Sequence, residues 1–337
     1  MVGSLYFTSY YTRMYSFSEI LQIVNDAVAT SPFNGSPKGL YEPIRYVLSL
    51  GGKRIRPVLM LMGYNLYQDN VKSILGPAIG IETYHNYTLL HDDLMDRADV
   101  RRGKPCVHKV WNENTAILSG DAMLVLAYQQ MALCAPCHLS EVMGVFTKTA
   151  LEIDEGQQFD MDFETRNDVT EEEYIEMIRL KTSVLLACAL KIGAILAGAP
   201  NKDLDALYTF GERIGLAFQL QDDYLDVYGN SVTFGKKIGG DILCNKKTFM
   251  LINALRKATP VQRQELQKWL DATNYDKAEK IKAVTQLYSS IGVDKLAQQR
   301  INEYYGQAKE ALAQVSLPAE RKQILWEFAM QLLNRES

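Results

Sequence analysis

Apolar residues recur along this chain at helical spacing, and strict apolar–polar alternation is essentially absent. Residues 17–30 predict a first helix, with Ile20, Leu21, Ile23, Val24 and Ala27 on one side. Residues 31–38 (SPFNGSPK) read as a turn cluster, and a second helix covers about 39–50. After GGKRIRP comes an apolar helix, followed by a long one over 74–97. Residues 98–113 form a polar connection. Further long helices fit 114–133, 138–163, 171–199 and 203–228, and shorter ones fill 246–336. There is no solenoid-period repeat and no low-complexity linker. The reading is all-α: one domain over 1–337, with its core at 17–336 and an N-terminal extension at 1–16.

Composition narrows the class. The 337 residues are 47% hydrophobic and 23% charged, enough for a sizeable core. A formal net charge of -4 gives no reason to expect nucleic acid as a partner. The N-terminus does not read as a signal peptide, and the apolar run from Val184 to Ala199, interrupted by Lys191, is too short to span a bilayer. No stable membrane insertion is expected. The five cysteines are an odd number without an export signal, so reduced thiols and a cytoplasmic location are expected. Cys134, Cys137 and His138 match a haem-attachment spacing, but Pro136 and His138 fit a helix–helix turn better.

The chemistry concentrates in acids. Asp92, Asp93 and Asp96 form a DDxxD motif late in the 74–97 helix, and Asp222, Asp223 and Asp226 repeat it about 130 residues later. In each motif the outer carboxylates are four residues apart, one above the other on a helix face. Such pairs suit a hard, oxygen-seeking cation, and carboxylates on apolar helices need cations nearby. The basic residues come in clusters. Lys53, Arg54 and Arg56 follow two glycines at a helix start, an anion-site arrangement whose bland alternative is a solvated basic turn. Arg101 and Arg102 follow the first motif and are placed to grip diphosphate.

Together, GGKRIRP (51–57), HNYTLLHDDLMDRADVRRGKP (85–105), EGQQFDMDF (155–163), LKTS (180–183), FQLQDDYLD (218–226), GKKIGGDI (235–242) and NKKT (245–248) resemble the trans-polyprenyl diphosphate synthases. These motifs stand in that family's order over most of 40–250. The resemblance implies about ten core helices around a deep hydrophobic cavity, usually in a homodimer, with the two motifs facing each other. It implies head-to-tail condensation of isopentenyl diphosphate onto an allylic diphosphate (dimethylallyl, geranyl or farnesyl). Asp92 and Asp96 would bind two Mg²⁺ and Asp222 a third, with Asp93, Asp223 and Asp226 completing the motifs and Asp160 and Asp241 behind them. Arg101, Lys181, Lys236 and Lys246 resemble the allylic clamps, with Thr182 and Gln219 at the reacting end. Lys53, Arg56, His85 and Arg102 resemble the isopentenyl site. Taken singly, Lys181 also reads as a helix cap and His85 as a core histidine.

Product length turns on Thr88, Tyr87 and Tyr84, which are four, five and eight residues before Asp92. In the family, aromatic residues at this place go with short products. Tyr87 would lie roughly 7–8 Å below the metal ligands and act as a floor, with Tyr84 a turn deeper. Fifteen or twenty carbons fit, and the sequence leaves both open. A terpene cyclase and a non-catalytic regulatory subunit are the rival readings. A cyclase has no use for GGKRIRP, and regulatory subunits tend to lose an aspartate motif, whereas both are intact here.

Overall fold

The computed structural model describes residues 13–229 and 238–333. Apart from one two-stranded hairpin, the described regular structure is helical. The chain divides into two compact units, Met1–Met143 with Ala189–Pro200, and Gly144–Cys188 with Asn201–Ser337.

The first unit begins with α1 (Phe17–Ala29), whose start is fixed by a reciprocal cap between Ser16 and Glu19. Then come α2 (Lys38–Ser49), α3 (Ile55–Asn65) and α4 (Leu75–Met95). The connection expected at 98–113 contains the hairpin β1 (Val100–Arg101) and β2 (Lys104–Pro105), then a short helix, α5 (Val107–Val110). Arg102 and Gly103 have φ of 52° and 75°, the pair of left-handed residues that closes a two-residue hairpin turn. Two residues per strand are too few to alternate, so no strand pattern is visible there.

Next is α6 (Glu113–Met131), which packs along α4. Glycines allow their backbones to approach. A Cβ on Gly80 would lie 3.0 Å from the Ala127 carbonyl, and one on Gly120 would fall 2.1 Å from Nε2 of His91.

The second unit is built on α7 (Leu139–Thr165), α8 (Glu171–Ile178), α9 (Val184–Leu196) and α10 (Asn201–Tyr228). The N-terminal end of α7 and the C-terminal part of α9 belong to the first unit. The 171–199 stretch, read as one helix, is interrupted by a π-helical turn over Arg179–Ser183. This turn lies against two glycines. A Cβ on Gly156 would sit 2.4 Å from the Lys181 nitrogen, and one on Gly215 would sit 2.6 Å from the Ser183 Cα.

Among the described residues six helices follow: α11 (Gly240–Leu243), α12 (Phe249–Lys257), α13 (Pro260–Asp271), α14 (Lys277–Ile291), α15 (Val293–Gln314) and α16 (Ala319–Leu333). The long α10 packs along α15, and Phe163, Leu216, Phe249, Tyr288 and Val293 contribute to the core of this unit. No single helix among the described residues is long and apolar enough to cross a membrane.

Candidate functional site

In the first unit, α4 carries Asp92 and Asp93 in its last turn, with Asp96 as its C-cap. Carboxylates at a helix C-terminus are electrostatically unfavourable, because the dipole there is already negative. The same placement raises the attraction for a cation. Asp92 is half-buried and Asp96 exposed, whereas Asp93 points inward. Arg101 grips Asp93 with its Nε at 2.7 Å from Oδ1 and 2.8 Å from Oδ2, and with a terminal nitrogen 2.7 Å from Oδ1. Burial raises the Asp93 carboxyl and Arg101 opposes that rise. Cys106 also bonds to Asp93, and burial and that carboxylate push its thiol up to about 12. The Arg101 expected to clamp diphosphate thus anchors the middle aspartate here.

The glycine-rich loop is shaped around arginines. Gly51 and Gly52 have φ of 77° and 127°. A Cβ on Gly52 would meet the Arg102 guanidinium at 2.6 Å, and Arg102 donates to the Gly51 carbonyl. Arg54 also takes a left-handed conformation, with φ of 49°. Its guanidinium turns inward and donates to Glu82 Oε1 at 2.5 Å and to the Leu48 carbonyl at 2.6 Å. Glu82 is 2% exposed, so this pair removes a buried charge that would otherwise be costly. Arg54 is therefore a structural part of the expected cationic cluster, and Lys53 is the exposed one.

Arg56 meets His85 at 3.0 Å. Burial first, then Arg56, Arg102, Arg101 and Arg54, hold His85 well below its usual pKa, so it stays neutral and accepts from Arg56 through Nε2. Burial also lowers Arg56 to about 10, which leaves it cationic at neutral pH. Three of the four expected isopentenyl-site residues are thus drawn into local contact networks: Arg102 with the glycine loop, and Arg56 with His85. On the same helix, Tyr84 is 1% exposed and Tyr87 half-buried, and Thr88 donates to the His85 carbonyl at 2.9 Å.

In the second unit, Asp226 lies in the last turn of α10, so the dipole argument repeats there, and Asp222 and Asp223 lie about a turn earlier. Asp223 is 4% exposed and accepts from the Tyr174 hydroxyl and from Gln219 Nε2 at 3.2 Å. Burial, reinforced by Asp241, pushes its carboxyl up to about 7. Asp226 accepts from the Asp241 backbone at 3.0 Å, tying α10 to the start of α11. Lys181, on the π-turn, sits 2.7 Å from Asp160 Oδ2, and Lys246 lies 3.7 Å from the same oxygen. Burial raises the Asp160 carboxyl, but Lys246 and Lys181 outweigh it and hold it lower than usual. Thr182 reaches Gln219 at 3.4 Å. Lys236 lies outside the described residues.

Sequence reasoning passed over Tyr174, Cys106 and Lys280. Lys280 is 1% exposed, donates to Asn245 at 2.8 Å and sits over the Tyr275 ring, which holds the NKKT loop in place. Tyr174 and Asp223 are 49 residues apart and Lys280 and Asn245 are 35 apart, so only folding brings these pairs together.

Among the described residues, no three His, Cys, Asp or Glu side chains form an all-protein cage for a metal. The donors are paired hard carboxylates, which suits Mg²⁺: it takes one or two from protein and the rest from water and phosphate.

The polyprenyl synthetase family model matches residues 37–288. A geranylgeranyl diphosphate synthase of Methanosarcina mazei is 45% identical over 223 residues, covering 66% of this chain and 69% of that protein. A geranylgeranyl pyrophosphate synthase crystal structure superposes with a TM-score of 0.90 at 42% identity, over 96% of this chain and 100% of the other. A geranylgeranyl pyrophosphate synthase of Corynebacterium glutamicum, solved with isoprenyl diphosphate and magnesium, gives a TM-score of 0.84 at 27% identity, over 95% and 100%.

Proposed function

The chain belongs to the polyprenyl synthetase family, and from that premise we propose that it condenses isopentenyl diphosphate head-to-tail with an allylic diphosphate, with Mg²⁺, to a product of fifteen or twenty carbons. The observation that carries this reading is the pair of intact aspartate motifs, each near the C-terminal end of a long helix, where a carboxylate works against the helix dipole and suits a bound cation. The family match runs through residues of both units, which supports treating 1–337 as one functional domain.

In the first unit, Asp92 and Asp96 are the metal-binding pair, and Lys53, Arg56, His85 and Arg102 take the isopentenyl diphosphate. In the second, Asp222 holds a further ion, for three in all. When bound, Mg²⁺ offsets the charge that collects on a departing diphosphate.

The chain's own residues supply the rest. Lys181 and Lys246 bring positive charge to an allylic leaving group, and Asp160 holds both in advance, so little reorganisation is needed as the bond breaks. Thr182 and Gln219 border the reacting end. A neutral His85 keeps its Nε2 on Arg56 and so orients that guanidinium. Tyr87 is the floor that limits chain growth, with Tyr84 a turn deeper and Thr88 beside it.

All five cysteines are free thiols, which fits the reducing cytoplasm. Exposed Leu118, Val125 and Leu133, on or just beyond α6, support a homodimer.

The test is a product assay with labelled isopentenyl diphosphate, Mg²⁺ and each allylic starter in turn, resolved by chain length. A fifteen- or twenty-carbon product is expected, and chelation of Mg²⁺ should abolish it. No elongation with any starter would overturn the enzymatic reading in favour of a regulatory subunit. Products much longer than twenty carbons would keep the reaction and remove Tyr87 as the floor.

A further inference from the structure

We propose that His91 and Gly120 are positioning residues for product length, acting by locking the Tyr87 ring; this rests on the reading of Tyr87 as the floor. Tyr84, Tyr87 and His91 are three and then four residues apart, so their rings stack along one face of α4. The Tyr84 and Tyr87 centroids are 5.5 Å apart at 55°, and those of Tyr87 and His91 are 4.9 Å apart at 67°, edge to face.

The two outer rings are themselves held. Tyr84 is 1% exposed, in the core of the first unit. His91 is anchored on α6: its Nε2 lies 3.1 Å from the Ile117 carbonyl, an acceptor only, so Nε2 carries the proton and donates. The imidazole occupies the notch left by Gly120, where a Cβ would lie 2.1 Å from Nε2 and 2.5 Å from Cδ2. Asp121 stands 3.9 Å from the same nitrogen, at an exposed position.

A floor works only if it resists displacement. A growing prenyl chain gains by burying each added unit, and a lone tyrosine can escape through a modest change of side-chain rotamer. Clamped between a core tyrosine and a histidine bonded to the neighbouring helix, Tyr87 has no such escape. Product length therefore depends on two residues that need not touch the substrate.

The experiment compares product distributions of the full chain for wild type, His91→Leu, Gly120→Ala and Tyr87→Ala, and for His91→Leu combined with Tyr87→Ala, with thermal melts of each. His91→Leu removes both the ring and the anchor, whereas Gly120→Ala displaces the ring and leaves its chemistry intact. Each should raise the share of products longer than the wild-type product at least tenfold. In the Tyr87→Ala background, His91→Leu should lengthen nothing further, because its effect passes through Tyr87.

If His91→Leu melts like wild type and makes product of wild-type length, at any rate, the proposal falls. Equal further lengthening in the Tyr87→Ala background also overturns it, since His91 would then act by another route. Tyr87→Ala making wild-type product removes the floor itself, and a wild type that elongates nothing removes the enzymatic reading. These last two outcomes are distinguishable from a failure of the clamp alone. Should Gly120→Ala lose its fold at the close helix contact, His91→Leu alone decides.

Discussion

At the scale of single residues, the outer aspartates and the buried ones separate. Asp92 stands in the last turn of its helix, where removing a negative charge relieves an unfavourable dipole term of roughly 0.3–1 kcal/mol. Asp222 lies about a turn further in, where that term has largely faded. Asp92→Ala and Asp222→Ala should therefore leave the melting temperature unchanged or slightly raised. Their turnover should fall by about 10² or more, as for loss of a preorganised charge-stabilising group. Steady-state kinetics beside a thermal melt checks both, and unaltered activity in either variant would remove the metal assignment.

His85 yields a pH prediction. Its folded pKa lies well below the ordinary 6.5, so below pH 6.5 the unfolded chain takes up a proton that the folded one refuses. The contribution is fully present above pH 6.5 and is lost as pH falls toward the folded value, by up to about 1.4 kcal/mol per pH unit. Denaturant midpoints at pH 7.5 and 5.5 should differ less in His85→Gln than in wild type. An equal difference would show that His85 is not the group responsible.

At the scale of elements, the π-turn over Arg179–Ser183 is the feature the periodicity could not announce. Apolar spacing over 171–199 fits a continuous helix, and one extra residue in a turn changes the phase too little to read. The turn persists because Gly156 and Gly215 leave room for its backbone. Gly156→Ala must push the Lys181 backbone aside. It should cost about 1–3 kcal/mol of stability, the usual range for overpacking, and should also weaken binding of the allylic diphosphate. A denaturant titration and the KM for that substrate measure the two effects. Wild-type values for both would show that the turn accommodates the methyl group.

For the molecule as a whole, surface pattern bears on assembly. In α6 the outward residues Leu118 and Val125 are seven apart, with Leu118 61% and Val125 58% exposed. Exposed apolar residues in such a seam mark an interaction surface, and a second copy of α6 would cover it. Sedimentation should find a dimer for wild type and a monomer for Leu118→Glu. A monomeric wild type would remove the homodimer reading.

The amino-acid sequence by itself determined the helical class, the positions of the long helices to within a few residues, and both aspartate motifs. Those features are local: a period of 3.6 and a spacing of four survive in any context that keeps the helix. The Leu75–Met95 helix, with Asp92 in its last turn, was legible for that reason. Tertiary structure alone decided which charges are drawn into buried pairs that hold the frame. Arg54 and Arg56 are two residues apart in one basic run, yet Arg54 is spent on Glu82 while Arg56 meets His85. Asp93 and Asp92 are adjacent, yet Asp93 is bound to Arg101 and Cys106. Burial sets these fates, because a charge taken out of water must find its partner across the fold, and that partner's distance in sequence carries no local signal.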